Sequence, residues 1–254
     1  MSLFNSGPLA SLLDLLYSVV VALGDALAPF LGPFLGGGAS AAAIVVLTMA
    51  VRTALIPLAV RQVRAELTRR RLAPLLAELN RKHAKNPERL RTELAALYAR
   101  ESASPFAGIL PALAQAPVIS LIYALFVHPS IDGHANALLT DTLFGIPLGH
   151  TIFSGFSLEH ALVFGGILLV LAAIAQASRV VARRYEAGQP TSVTAPAAGP
   201  GSLAPSAGLV RALSFAPFIS VVFAAFAPLA AAIYLTVSTG WTLVERSVLR
   251  RRLA

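Results

Sequence analysis

Residues 41 to 60 read AAAIVVLTMAVRTALIPLAV, an apolar run broken by a single charge, Arg52, near its middle. Twenty such residues rise about 30 Å as a helix, which matches the hydrocarbon thickness of a bilayer. A guanidinium does not give up its proton there, so Arg52 has to face protein, water or the charge of a partner rather than lipid. Any fold open to this chain must accommodate that constraint.

The rest of the composition points to the same solvent. Of 254 residues, 56% are hydrophobic and 13% charged, against about 25% charged in soluble domains, so the chain reads as an integral membrane protein. The net charge of +8 is not spread as a nucleic-acid-binding face would be, and no specific nucleic acid is expected as a partner. No Lys or Arg precedes Arg52; eleven lie between Arg61 and Arg100, none between Ser102 and Ser178, and eight from Arg179 onward. Basic blocks alternating with apolar runs follow the positive-inside pattern of a polytopic protein. There is no cysteine, which removes disulfides, thiol chemistry and lipid attachment to Cys.

Taken in order, residues 1–38 are expected outside. Within 9–35, Asp14, Ser18 and Asp25 share one helical face, which predicts an amphipathic helix in the outer interface ending around Pro29 to Pro33. A further span or a retained signal segment is the alternative. Gly36 to Gly38 then turn into a first span over about 40–62, where Pro57 is expected to bend the helix. The block starting at Arg61 puts that end in the cytoplasm.

Residues 63–101 are the one substantial polar region. Leu72, Leu75, Leu76 and Leu79, and then Leu90, Leu94 and Leu97, recur at helical spacing, with Asn86 as an N-cap and Pro87 as the first helical residue between them. This predicts a cytoplasmic helical hairpin with a thin leucine seam. Its basic face suits solvent and anionic lipid headgroups, or a ribosome or nascent chain. A second span, 105–127, holds Pro105, Pro111 and Pro117 with Gln115 between the last two. An external loop, 128–157, follows, with a re-entrant or interfacial piece expected around 138–149. His128, His134, His150 and His160 lie in it or at its edge, without metal-binding spacing. A third span covers 158–182, with Gln176 near its inner end, and a disordered cytoplasmic loop covers 185–208. No charge occurs from Ala212 to Val244, about 50 Å of helix, which is divided into spans at 209–226 and 229–247 with an outside turn near Ala227 and Pro228. The fold class expected is an all-α polytopic membrane protein: a five-transmembrane-helix core with the hairpin and the interfacial helix.

No catalytic set emerges. The GxSxG, Walker A and HExxH patterns are absent, and no acid pair falls inside a span, so no enzyme activity, cofactor or metal is expected. Ser120, Ser220 and Ser238 have no intramembrane histidine to activate them. Arg52 remains the distinctive feature. It either pairs with carbonyls freed by Pro57 or Pro117, or with Gln115 or Gln176, or it lines a wet groove holding a fixed positive potential.

The order VRTALIPLAVRQ, a charged hairpin, NPERLRTELAALYARESASPFAGILPALAQAPVISLIYALF and then RALSFAPFISVVFAAFAPLAAAIYLTVSTGW strongly resembles the YidC-type membrane insertases, a bacterial branch of a family shared with mitochondria and chloroplasts. The likeness covers most of residues 40–247. It implies five core helices and a hydrophilic groove open to cytoplasm and lipid but closed outside, in residues 39–254. Arg52 matches the family's groove arginine, and Gln115 falls in its Pro-x-x-x-Gln-x-Pro pattern at Pro111, Gln115 and Pro117. Gln176 and Trp241 match polar and aromatic groove positions. Pro228 and Tyr234 are kept, while Leu235 stands where a Trp is usual. The resemblance implies an insertase and chaperone of the bacterial plasma membrane, N-terminus outside and C-terminus cytoplasmic. Its implied partners are nascent membrane proteins and the lipid bilayer, with a Sec translocon, ribosome or targeting factors meeting the 63–101 hairpin. The sequence ends at Ala254 without a long basic tail, so ribosome contact is expected to rest on that hairpin. A small anion-binding transporter or channel is the alternative function.

Overall fold

The computed structural model describes residues 8–35, 38–104, 107, 109–131, 133–187, 212 and 214–253. The expected positions at Gly36, Gly37, Pro105 and Asp132, and residues 188–208 of the expected disordered loop, lie outside that set. The described chain is helical: α1 Pro8–Leu35, α2 Ala39–Ala54, α3 Ile56–Lys82, α4 Pro87–Arg100, α5 Ile109–Val127, α6 Leu158–Ala187, α7 Ile219–Phe226 and α8 Leu229–Leu253. Four two-residue strands, β1 Ser130–Ile131, β2 His134–Ala135, β3 Thr142–Leu143 and β4 Ile146–Pro147, interrupt the series between α5 and α6.

The chain divides into two compact units. The first contains residues 1–55, 115–178 and 217–244. Its core is built from Leu13 and Val20 of α1, Ile44 and Leu47 of α2, Leu125 and Phe126 of α5, Phe164 of α6, and Leu229 to Ala231 and Tyr234 of α8. Small residues dominate the closest approaches. Ala43, Ala230, Ala231 and Ala232 are fully buried, and a Cβ on Gly24 would lie 3.3 Å from the Ser40 hydroxyl. Helices surrounded by lipid gain little from hiding apolar surface from one another, so close backbone approach through small side chains is what binds them.

The connection 128–157 closes one end of this unit. Asn136 is buried and donates its side-chain amide to the carbonyls of Leu125 (2.8 Å) and His128 (3.0 Å), satisfying the end of α5. The carbonyls of His150 and Leu148 accept the first amides of α8, from Leu229 (2.8 Å) and Ala230 (2.9 Å). The Ser40 hydroxyl donates to the Asp141 carboxylate, and His134 meets Asp14 of α1 at 2.9 Å. Where a re-entrant or interfacial piece is expected, at 138–149, the chain forms a 3-10 turn, Ala137–Leu139, followed by the β3–β4 hairpin. Phe144 and Gly145 both have positive φ, the signature of a two-residue hairpin turn whose twist matches its strands.

The second unit contains residues 56–114, 179–216 and 245–254. Asn86 caps α4 by accepting the Arg89 amide at 3.0 Å, and Pro87 opens the helix, where its missing N–H costs nothing. Leu72, Leu76 and Leu97 form the contact between α3 and α4, joined by Leu79, Leu94 and Tyr98. Leu75 is exposed instead of joining that seam. Glu66 bridges Arg70 (2.7 Å) and Arg250 (2.8 Å), and both guanidiniums stack on the Tyr185 ring, at 3.9 and 4.4 Å.

Several expected boundaries move. The helix containing Arg52 stops at Leu55, two residues before Pro57, whose ring has no N–H for the Thr53 carbonyl. α3 runs on through residue 62, from Ile56 to Lys82, so the expected end of the first span is not marked by a helix end. α1 continues past Pro33 to Leu35, α6 past residue 182 to Ala187, and α8 past residue 247 to Leu253. In the expected 209–226 span, of which 209–211 and 213 lie outside the described residues, Ala212 is helical and a 3-10 turn, Ala216–Phe218, leads into α7, about 12 Å of rise. Among the described residues, two helices are long and apolar enough to cross a membrane alone, Ala10–Leu31 and Leu158–Tyr185, and a third if α2 and α3 are one broken span. Gln115–Val127 and Ala216–Phe226 are apolar but shorter.

Candidate functional site

Arg52 sits in the last turn of α2, half-buried, and its guanidinium donates to the Ser238 hydroxyl of α8. Ser238 is buried, and Tyr234, also buried, lies one turn earlier on the same helix. Tyr234 in turn packs on Phe126, ring centroids 5.9 Å apart. Thr48 is buried one turn before Arg52 and spends its hydroxyl on the Ile44 carbonyl, 2.7 Å away. Thr242, one turn past Ser238, bonds the Ser238 carbonyl at 2.9 Å. Two helices therefore face each other with a hydroxyl-bearing strip on one and the arginine on the other.

The depth of this pair follows from helix rise. Arg52 lies 12 residues beyond Ser40, about 18 Å along α2, and Ser238 nine beyond Leu229, about 14 Å along α8. Ser40 and Leu229 are both bonded to the 128–157 connection. The charge is thus about half a hydrocarbon thickness from the closed end of the unit.

Of the other three candidate positions, Trp241 shares α8 with Ser238. Trp241 follows Ser238 by three residues, and its indole N–H is buried with no acceptor among the described residues. A native structure rarely leaves such a donor dry, so the position fits water or a polar guest. Gln115 is half-buried on α5, two residues before Pro117. Gln176 is exposed on α6, next to the buried Ala175. No hydrogen bond joins Arg52 to Gln115, Gln176 or Trp241 among the described residues; its partner is Ser238, which was not among the partners the sequence suggested. The only advance signal was spacing, since Tyr234, Ser238 and Thr242 recur every four residues through an uncharged run.

Beside this polar strip, Gly166, Ile167 and Val170 of α6 and Ile233, Thr236 and Val237 of α8 line an open apolar crevice of about 170 Å³. Buried His160 bonds the Thr151 carbonyl at 2.9 Å and stacks on Phe164 at 4.8 Å.

The profile of the 60Kd inner membrane protein family matches residues 30–254, the whole of this site included. The chain belongs to that family. Members that resemble it include the inner membrane ALBINO3-like protein 2 of the Chlamydomonas reinhardtii chloroplast, 37% identical over 123 residues, which are 48% of this chain and 28% of that protein. The membrane protein insertase YidC of Clostridium perfringens is 35% identical over 83 residues, 33% of this chain and 35% of the relative. The YidC insertase of Zymomonas mobilis is 28% identical over 202 residues, 78% of this chain and 31% of the relative. The chain thus spans about a third of the length of these family members. The YidC-type resemblance carried by the motifs around Arg52 and Gln115 is the correct family.

Proposed function

We propose that the protein is a membrane protein insertase and folding chaperone whose working element is the fixed positive charge of Arg52. The observation that carries the reading is the pairing of Arg52 with one neutral hydroxyl, Ser238, at about mid-depth. A permanently charged guanidinium has more donors than one serine can satisfy, and leaving it otherwise dry would cost several kcal/mol. Water, and transiently the polar tail of a client, complete its shell in this account. The unpartnered Trp241 indole nearby supports the same hydration.

In this mechanism Arg52 draws an acidic or polar tail into a groove open to cytoplasm and lipid and closed by the 128–157 connection. Gln115, Gln176 and Trp241 line the path, and the apolar part of the client rests against the lipid-facing crevice between α6 and α8. The charge shortens the polar segment's journey through hydrocarbon, where electrostatic attraction is little screened. The α3–α4 hairpin captures clients on the cytoplasmic side and meets a Sec translocon, ribosome or targeting factor. The setting is the bacterial plasma membrane, N-terminus outside and C-terminal arginines inside. No covalent bond is made or broken, so no residue is assigned a catalytic role.

The test is insertion by the purified full chain in liposomes. A newly synthesised single-span client with a short acidic tail should become protected from external protease well above the level in protein-free liposomes. Equal protection with and without the protein, across several single- and double-span clients, would remove the insertase reading.

A further inference from the structure

A second pair of arginines, outside the Arg52 site, is arranged around a neutral group. Arg179 and Arg183 lie one turn apart on α6, and both point donors at the Ser214 hydroxyl, at 3.4 Å from Nε of Arg179 and 3.3 Å from a terminal nitrogen of Arg183. The Arg179 guanidinium also lies 3.7 Å above the ring of Phe215, which is itself exposed. Elsewhere in the same unit, Arg70 and Arg250 are also brought together on an aromatic ring, but there Glu66 bridges them. Around Arg179 and Arg183 no carboxylate plays that part among the side chains the structure describes, which stop at Tyr185 on α6. Two like charges converging on an uncharged hydroxyl repel each other, and an anion with several acceptor oxygens relieves this with bidentate bonds.

The position along α6 names the anion. Arg179 is 21 residues beyond Leu158, about 32 Å of rise, so it emerges where the hydrocarbon layer ends and phosphates begin. We infer that Arg179, Arg183 and the Ser214 hydroxyl form a binding site for the phosphate of an anionic phospholipid headgroup. Phe215 packs beneath the guanidinium at the level of the glycerol backbone, where aromatic rings are favoured. The bound lipid ties Ser214 to α6 through a shared phosphate. This site depends on α6 crossing the membrane and is independent of the insertase mechanism.

The test is lipid binding by the purified full chain, followed by native mass spectrometry with phosphatidylglycerol and phosphatidylcholine of identical acyl chains. The wild type should retain phosphatidylglycerol about fivefold or more over phosphatidylcholine. The double variant Arg179→Gln with Arg183→Gln should lose that preference, and Arg179→Lys with Arg183→Lys should keep most of it. Arg251→Gln with Arg252→Gln, which removes equal charge from exposed positions, should leave it intact. If the first pair disturbs folding, Arg183→Gln alone, at an exposed position, should still reduce the preference. Equal loss from both glutamine pairs would mean diffuse attraction and overturn the site, as would a wild type without preference. Displacement of the lipid by millimolar inorganic phosphate would also overturn it, in favour of a free-anion site.

Discussion

Arg52 was legible because a charge inside an apolar run has few innocent explanations. Its partner was not, because serines are common in membrane helices and the choice of Ser238 is made by the packing of α2 against α8. Trp241 was singled out only by resemblance, and its N–H, buried without an acceptor among the described residues, is a property of the fold. If charge is what acts, Arg52→Ala should lower insertion of acidic-tailed clients about tenfold, equivalent to about 1.4 kcal/mol, while Arg52→Lys keeps most activity. Equal activity of the Ala variant in a proteoliposome insertion assay would show that the charge is dispensable. Ser238→Ala should cost insertion less than about threefold, since water can replace one neutral hydroxyl in a wet site. A Ser238→Ala loss as deep as that of Arg52→Ala would mean instead that the pair acts as a rigid structural clamp.

Helix starts were easier to read than helix ends. Asn86 and Pro87 carry a local start signal, and α4 begins there. The change from apolar to basic at Arg61 suggested a change of solvent, but α3 continues through it, since helix hydrogen bonds do not depend on the surrounding medium. Leu75 has the right spacing for the seam yet faces out, since a stripe of four leucines is wider than one short partner helix can cover. Asn86→Ala should destabilise α4 by about 1 kcal/mol through its lost cap, read as faster amide exchange in Arg89 and its neighbours. Unchanged exchange there would show that the cap bond carries no weight. Ala231→Leu, at a fully buried point on α8, should destabilise the first unit by about 1–3 kcal/mol through overpacking, seen as a lower thermal midpoint in detergent.

At the scale of the whole molecule, the class of solvent and the helical character followed from composition and block charge, and the family from residues 40–247. The small strands of the 128–157 connection were missed because two-residue ladders leave no period to detect. Their consequence is larger than their size, since this connection supplies the carbonyls that start α8 and the carboxylate that meets Ser40. It makes one end of the first unit a closed end, and the proposed mechanism needs water to enter from the other. The natural absence of cysteine allows a direct measurement. Single cysteines at Gln115, Thr239 and Thr242, all half-buried, can be compared with Leu169→Cys, which is exposed on α6. In sealed vesicles, a membrane-impermeant maleimide added on the side of the C-terminal arginines should label the first three and spare Leu169→Cys in its lipid surroundings. Reagent on the opposite side should label none of them. Failure to label Gln115→Cys, Thr239→Cys and Thr242→Cys from either side would mean that Arg52 sits in a dry interior, and would contradict the account.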